Sequence, residues 1–276
     1  MTENTETVDL PSYAKPPVVE TIIGVQFDRL PKFSNAHLGA FWQTLDVTKW
    51  PNVSDAASVP VQFEEFSEET KWVDSVRLQF KQDPAARLQI KNKLSDRMIQ
   101  VQNGRFHFNW LGEAGGEYPR YNTVLAEFNA SLSQYVKYLE ESQLGKFSPN
   151  QWEITYINHI PVGTVWSQFS EWNFFRPLGT FVTLKNGLTP GGFSGQWQYE
   201  IPMQKGRLHI TWQLAKKTQG PIQDEFIQLS LTARGPLPYG SDGTKSLSDG
   251  LNLGHETIVV AFHELMTAKA NRFWGG

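Results

Sequence analysis

The chain has 276 residues, 39% hydrophobic and 19% charged, with 25 basic against 28 acidic side chains and a formal charge of −3. That balance is ordinary for a soluble globular protein and speaks against one that coats nucleic acid by bulk charge. There is no cysteine, which excludes a disulfide scaffold, a thiolate zinc site and a cysteine nucleophile.

The first twelve residues are polar and acidic with no apolar run, so they do not read as a signal peptide. No stretch approaches the roughly 18 uninterrupted apolar residues of a membrane span. The default reading is a cytoplasmic, bacterial or phage protein. Residues 1–15 read as a disordered or loosely held tail, ended by Pro16-Pro17, because proline fixes φ and bars helix before it.

Val18 to Phe27 is β-rich, with Val19, Ile23, Val25 and Phe27 on one face. Phe33 to Leu45 predicts a helix: Leu38, Phe41, Trp42 and Leu45 repeat at helical spacing behind an N-cap at Ser34 or Asn35. Four strands are predicted next, over Val61–Phe66, Val76–Phe80, Arg87–Lys91 and Ile99–Trp110. The last carries an Asn103-Gly104 hairpin signal that would split it in two. Asn122 to Ser142 shows an apolar stripe through Val124, Phe128, Leu132, Tyr135 and Leu139, and Gly145 ends the unit.

The order then repeats. Trp152 to Ile160 predicts a strand, Trp166 to Trp172 a short helix or aromatic turn, and Thr180 to Leu184 a short strand. Three further strands follow, in which Trp197, Tyr199 and Ile201, then Leu208, Ile210, Trp212 and Leu214, then Ile227, Leu229 and Leu231 alternate with polar residues. A last helix is predicted from Leu251 to Phe273. The fold class is therefore α+β: a curved, mostly antiparallel sheet from two pseudo-repeated βαβ4α-like units, 16–145 and 146–276, with helices on one face and a surface shared by both. This arrangement is similar to TATA-binding-protein-like tandem repeats, a likeness of fold that implies no function.

The stretch Pro16-Pro17-Val18-Val19-Glu20 running into Phe27, the strand Tyr156-Ile157-Asn158-His159-Ile160, and the ending His255-Glu256, Phe262, Phe273-Trp274 resemble a sporadically distributed family of uncharacterised bacterial proteins. The resemblance implies the boundaries of the fold and no activity. The family's sporadic distribution hints at mobile or defence-related genes.

The strand residues that alternate with the core are mostly Arg, Lys, His and Gln, although the chain is acidic. An electropositive, amide-rich sheet face suits a phosphate-bearing ligand or nucleic acid, through Arg77, Arg87, Lys91, Arg105, His107, Arg207, His209 and Arg234. The plainer reading is a solvated face that discourages edge aggregation. The cluster Trp166, Phe169, Trp172, Phe174 and Phe175 is read either as a partner-binding patch or as a satellite core under a loop.

No metal and no cofactor is expected. His255 and His263 stand eight apart, too far to share an ion without a third ligand, and His255 reads as a helix cap or as packing between the repeats. No G-x-S-x-G elbow and no phosphate-binding Gly-rich loop occurs. The leading expectation is a non-enzymatic binding module. Its rivals are a protein–protein adaptor or antitoxin-like regulator, alone or as a homo-oligomer, and an enzyme with a scattered site.

Overall fold

The computed structural model describes residues 10–66, 86–112, 117–179, 192–217, 224–238 and 243–276. Within these residues, nine strands form one curved, open, antiparallel sheet in the order β2-β3-β4-β5-β1-β6-β9-β8-β7. They are β1 (Val18–Phe27), β2 (Asn52–Ala57), β3 (Ala86–Lys91), β4 (Arg97–Gln102), β5 (Arg105–Leu111), β6 (Pro149–Pro161), β7 (Ser194–Ile201), β8 (Gly206–Lys217) and β9 (Asp224–Pro236). The helices are α1 (Asn35–Thr44), α2 (Tyr121–Glu141), α3 (Gly243–Leu265) and α4 (Ala268–Phe273). Among the described residues no helix is long and apolar enough to cross a membrane.

The topology is nearly symmetric about the β1–β6 pair. Outward from β1 run β5, β4 and β3; outward from β6 run β9, β8 and β7. Each first strand begins a unit, and each unit ends in a long helix, α2 over β1 and β5, α3 over β6, β9 and β8. Period-2 alternation puts one apolar set against these helices: Ile23, Val25, Phe106, Phe108, Ile154, Leu208, Ile210, Leu229 and Leu231 are all buried.

Several sequence expectations need correcting. Val61–Phe66 is not a strand; it runs extended outside any ladder. The strand beside β3 is instead Asn52–Ala57, which pairs with it in antiparallel register. The expected strands Val76–Phe80 and Thr180–Leu184 lie outside the described residues. The last helix starts earlier and breaks at Met266-Thr267, because Thr267 caps α4 by accepting from the Ala270 N–H while its own N–H bonds Phe174 O at 2.9 Å. Residues 10–15 are anchored at Tyr13, which is buried, donates to Asn271 Oδ1 at 2.9 Å, and sits beside backbone bonds from Ala14 and Lys15 to the C-terminal turn.

The aromatic segment is core. Trp166, Trp172, Phe174 and Phe175 are buried, and Phe175 stacks on Trp212 of β8 with ring centroids 4.2 Å apart. Trp172 and Phe174 lie on a 3-10 turn, Phe169–Phe174, and Phe175 links it to a second, Arg176–Leu178, in the place where the first unit has α1. Buried rings present no partner-binding surface. The Phe169 side chain lies outside the described residues.

Candidate functional site: a strapped polar sheet face

The face away from the helices carries two rows of polar residues, each perpendicular to the strands. Pairing aligns Gln102 of β4 with Arg105 of β5, Arg105 with Gln26 of β1, and Gln26 with Gln151 of β6. A second row runs Gln100, His107, Gly24, Glu153, Arg234, Arg207. His107 crosses Gly24 closely: a Cβ there would meet its Cδ2 at 2.3 Å, so only glycine leaves the imidazole room to reach Glu153.

Residues 58–66 lie across this face as a strap. The Val59 N–H donates to Gln102 Oε1 at 2.8 Å, and Gln102 Nε2 returns a bond to Val59 O at 2.8 Å. Arg105 Nη2 donates to Pro60 O at 3.2 Å. The Gln62 N–H donates to Gln26 Oε1 at 3.3 Å, Gln151 Nε2 to Gln62 O at 2.8 Å, and the Glu64 N–H to Gln151 Oε1 at 3.1 Å. Three glutamine amides thus take the part that a neighbouring strand's peptide groups would take. The spacing allows it: β4 to β1 is two strand separations, roughly 9.6 Å, and residues 59 to 62 of extended chain cover about 10 Å.

The strap ends in an ion cluster. The Glu64 side chain is only 4% exposed, and its Oε2 accepts from Arg207 Nη1 at 2.9 Å. Its Oε1 bonds His209 Nε2 at 2.6 Å and also accepts from Arg234 Nε. Arg234 further donates to Gln62 Oε1, and Arg207 donates to Glu65 O at 3.0 Å while lying over the Phe66 ring. Burial alone would raise the Glu64 carboxyl, but hydrogen bonds from His209, Arg234 and Arg207 bring it down to about 2.

Beside it a second cluster surrounds Glu153. Arg105 Nη1 is 3.3 Å from its carboxylate, His107 Nε2 3.5 Å, and Arg234 Nη1 3.8 Å. Burial lowers the His107 imidazole to about 4, against the pull of Glu153 and with the push of Arg105 and Arg87. The Arg87 guanidinium is likewise lowered by burial and by the charge of Arg105, and its buried Nε has no hydrogen-bond partner among the described residues.

Of the eight predicted ligand residues, the fold places six on one face and gathers five of them into two adjacent clusters. Arg207, His209 and Arg234 meet at Glu64, and Arg105 and His107 meet at Glu153; Arg87, on β3, acts on Arg105 and His107 through its charge. Lys91 sits on β3 outside the hydrogen-bonded network of the described residues, and Arg77 lies outside the described residues. The sequence reading missed what occupies the face. In the sequence Gln62 and Glu64 read as strand residues, and the amide row through Gln26 and Gln151 carries a signal only once strand register is known. Among the described residues no three His, Asp or Glu side chains are placed to hold a metal ion. Comparison with protein-family models and with curated proteins finds no match to this chain.

Proposed function

We propose that the protein is a non-enzymatic binding module whose polar sheet face receives a phosphate-bearing ligand, nucleotide or nucleic acid, in the cradle of Arg207, His209 and Arg234. The observation that carries this reading is the Glu64 carboxylate: three cationic or imidazole donors from two adjacent strands converge on one anionic group brought in by a separate segment. Two guanidinium groups and an imidazole are the donors that phosphate oxygens take. Glu64 stands where that phosphate would sit, so the strap acts as an internal competitor.

The test is a thermal-shift and mobility-shift panel of nucleotides and short DNA and RNA on wild type, Glu64→Ala and Arg207→Gln/Arg234→Gln. Removing the competitor raises affinity: Glu64→Ala binds about tenfold or more tightly than wild type, the double variant loses binding, and affinity falls steeply with salt. No response of either wild type or Glu64→Ala to any phosphate compound refutes the reading.

One observation favours a second reading, a protein–protein adaptor. The Gln102, Gln26 and Gln151 amides hold backbone atoms of the strap, which suits an extended acidic segment of a partner laid in its place. A synthetic peptide of residues 58–66 that binds Glu64→Ala, while nucleotides do not, favours it.

A further inference from the structure

On the opposite side of the sheet, between the two units, lies a cavity of about 270 Å³. Tyr156 of β6 and Leu231 of β9 line it from the sheet, Arg120 and Tyr121 from the start of α2, and His255 and Val259 from α3; the segment 10–18 completes the lining. Three of its polar side chains form one hydrogen-bonded chain. Tyr156 Oη and His255 Nδ1 are 2.8 Å apart, and Tyr118 Oη donates to Tyr156 Oη at 3.3 Å. The Tyr121 ring stacks on the imidazole at 3.9 Å with an interplanar angle of 8°. His255 is thus fixed on two sides, by one residue from each unit.

Apart from Arg120, which is exposed to solvent, the lining is uncharged. Burial raises the Tyr156 and Tyr121 hydroxyls well above their usual range and lowers the His255 imidazole to about 4. Arg120 is the one charged residue of the described lining. It sits at the N-cap of α2 with φ of 68°, a conformation that disfavours any residue with a side chain, and it gives α2 no side-chain cap. One of its N–H groups donates to Tyr13 O at 3.0 Å, and no other acceptor for it is found among the described residues. An apolar, aromatic cavity with a few convergent polar groups has the anatomy of a small-molecule site. A single cation beside an apolar, aromatic lining matches a monoanion with an apolar body.

We propose that this cavity binds a small carboxylic acid with an aromatic or alkyl body, its carboxylate on Arg120 and its body against Leu231, Val259 and Phe262. The hydroxyl and imidazole system of Tyr118, Tyr156 and His255 meets any polar substituent of that body. The site is separate from the strapped face, and it stands whether or not that face binds phosphate.

The test uses phenylacetate and hexanoate, with their amides as neutral controls, in thermal-shift and calorimetric titrations of the full chain. Both acids bind wild type saturably, and the amides bind at least about tenfold more weakly, as loss of a charge-assisted pair requires. Arg120→Gln loses a similar factor, while Arg120→Lys, which keeps the charge, retains most of the affinity. Val259→Trp, which fills the cavity, abolishes binding, and Arg207→Gln leaves it unchanged. Equal binding of acid and amide, no binding by folded wild type, or binding that survives Val259→Trp but fails in Arg207→Gln each overturns the proposal.

Discussion

The Glu64 carboxyl is held ionised because three donors outweigh the burial that acts against them, and this sets how stability depends on acid. Its folded value of about 2 lies below the ordinary 4.5, so the contribution is complete above about pH 4.5 and is lost as pH falls toward 2. His107 and His255, both lowered to about 4 from 6.5, act at higher pH. Between 6.5 and 4 the unfolded chain takes up protons that the folded chain refuses, so stability falls there as well. Urea unfolding of wild type and Glu64→Gln across pH 7 to 3 should separate the two. Both lose stability between pH 6.5 and 4 through the histidines they share. The advantage of wild type over the variant, a few kcal/mol at neutral pH, shrinks only below about pH 4.5. A difference that persists undiminished at pH 3 would show that Glu64 is not held in its charged form. The same residue explains where sequence reading went wrong. Val61, Gln62, Phe63 and Glu64 do alternate, but inverted: Val61 and Phe63 are 50% and 57% exposed, while Glu64 is buried against the polar face. Alternation reveals an extended chain; it does not say which side faces the protein.

At the scale of elements, α3 lies close to the sheet because glycines make room for one ring. Trp152 of β6 is buried among four of them. A Cβ on Gly250 or Gly254 of α3 would come within 2.3 Å or 2.6 Å of its atoms, and one on Gly206 or Gly235 would meet it at 3.0 Å or 2.8 Å. Glycine within a helix costs about 1 kcal/mol against alanine, and here that cost is offset by the close approach. Gly250→Ala should therefore destabilise by about 1–3 kcal/mol, because overpacking exceeds the gain in propensity. Gly39, in the middle of α1 with nothing within 4 Å of a Cβ, is the counterpart. Gly39→Ala should stabilise by about 0.4–1 kcal/mol. Shifts of the two urea midpoints in the same direction would sink the packing account. Elements with a strong period were legible in the sequence: β8 and β9 alternate over their length, and α2 shows its stripe. The strand β2 was not, since Asn-Val-Ser-Asp-Ala-Ala is an edge strand, exposed nearly throughout and without an apolar face to announce it. The amide row and the cavity were not legible either, because both depend on which strands end as neighbours.

For the whole molecule, the consequence of the repeat is a seam within one continuous sheet. β1 pairs with β6 along nearly its entire length, from Val18 opposite Asn158 to Phe27 opposite Pro149. Glu153 ties Arg105 of the first unit to Arg234 of the second, and the strap begins on β4 and ends on β8. On the helix side, Tyr121 of α2 packs on His255 of α3. Each unit alone would expose a long, mostly buried strand as an edge, the state most prone to pair with another chain, whereas among the described residues the edges of the sheet are β2 and β7, rich in exposed polar residues. Unfolding should therefore be a single transition, with far-ultraviolet and tryptophan signals coincident in urea. Residues 16–145 expressed alone should aggregate or remain unfolded. Two resolved transitions, or a soluble and cooperatively folded 16–145 fragment, would mean that the seam joins units that are already stable. The strap would then hold them together as a clasp rather than cover the face of one continuous sheet.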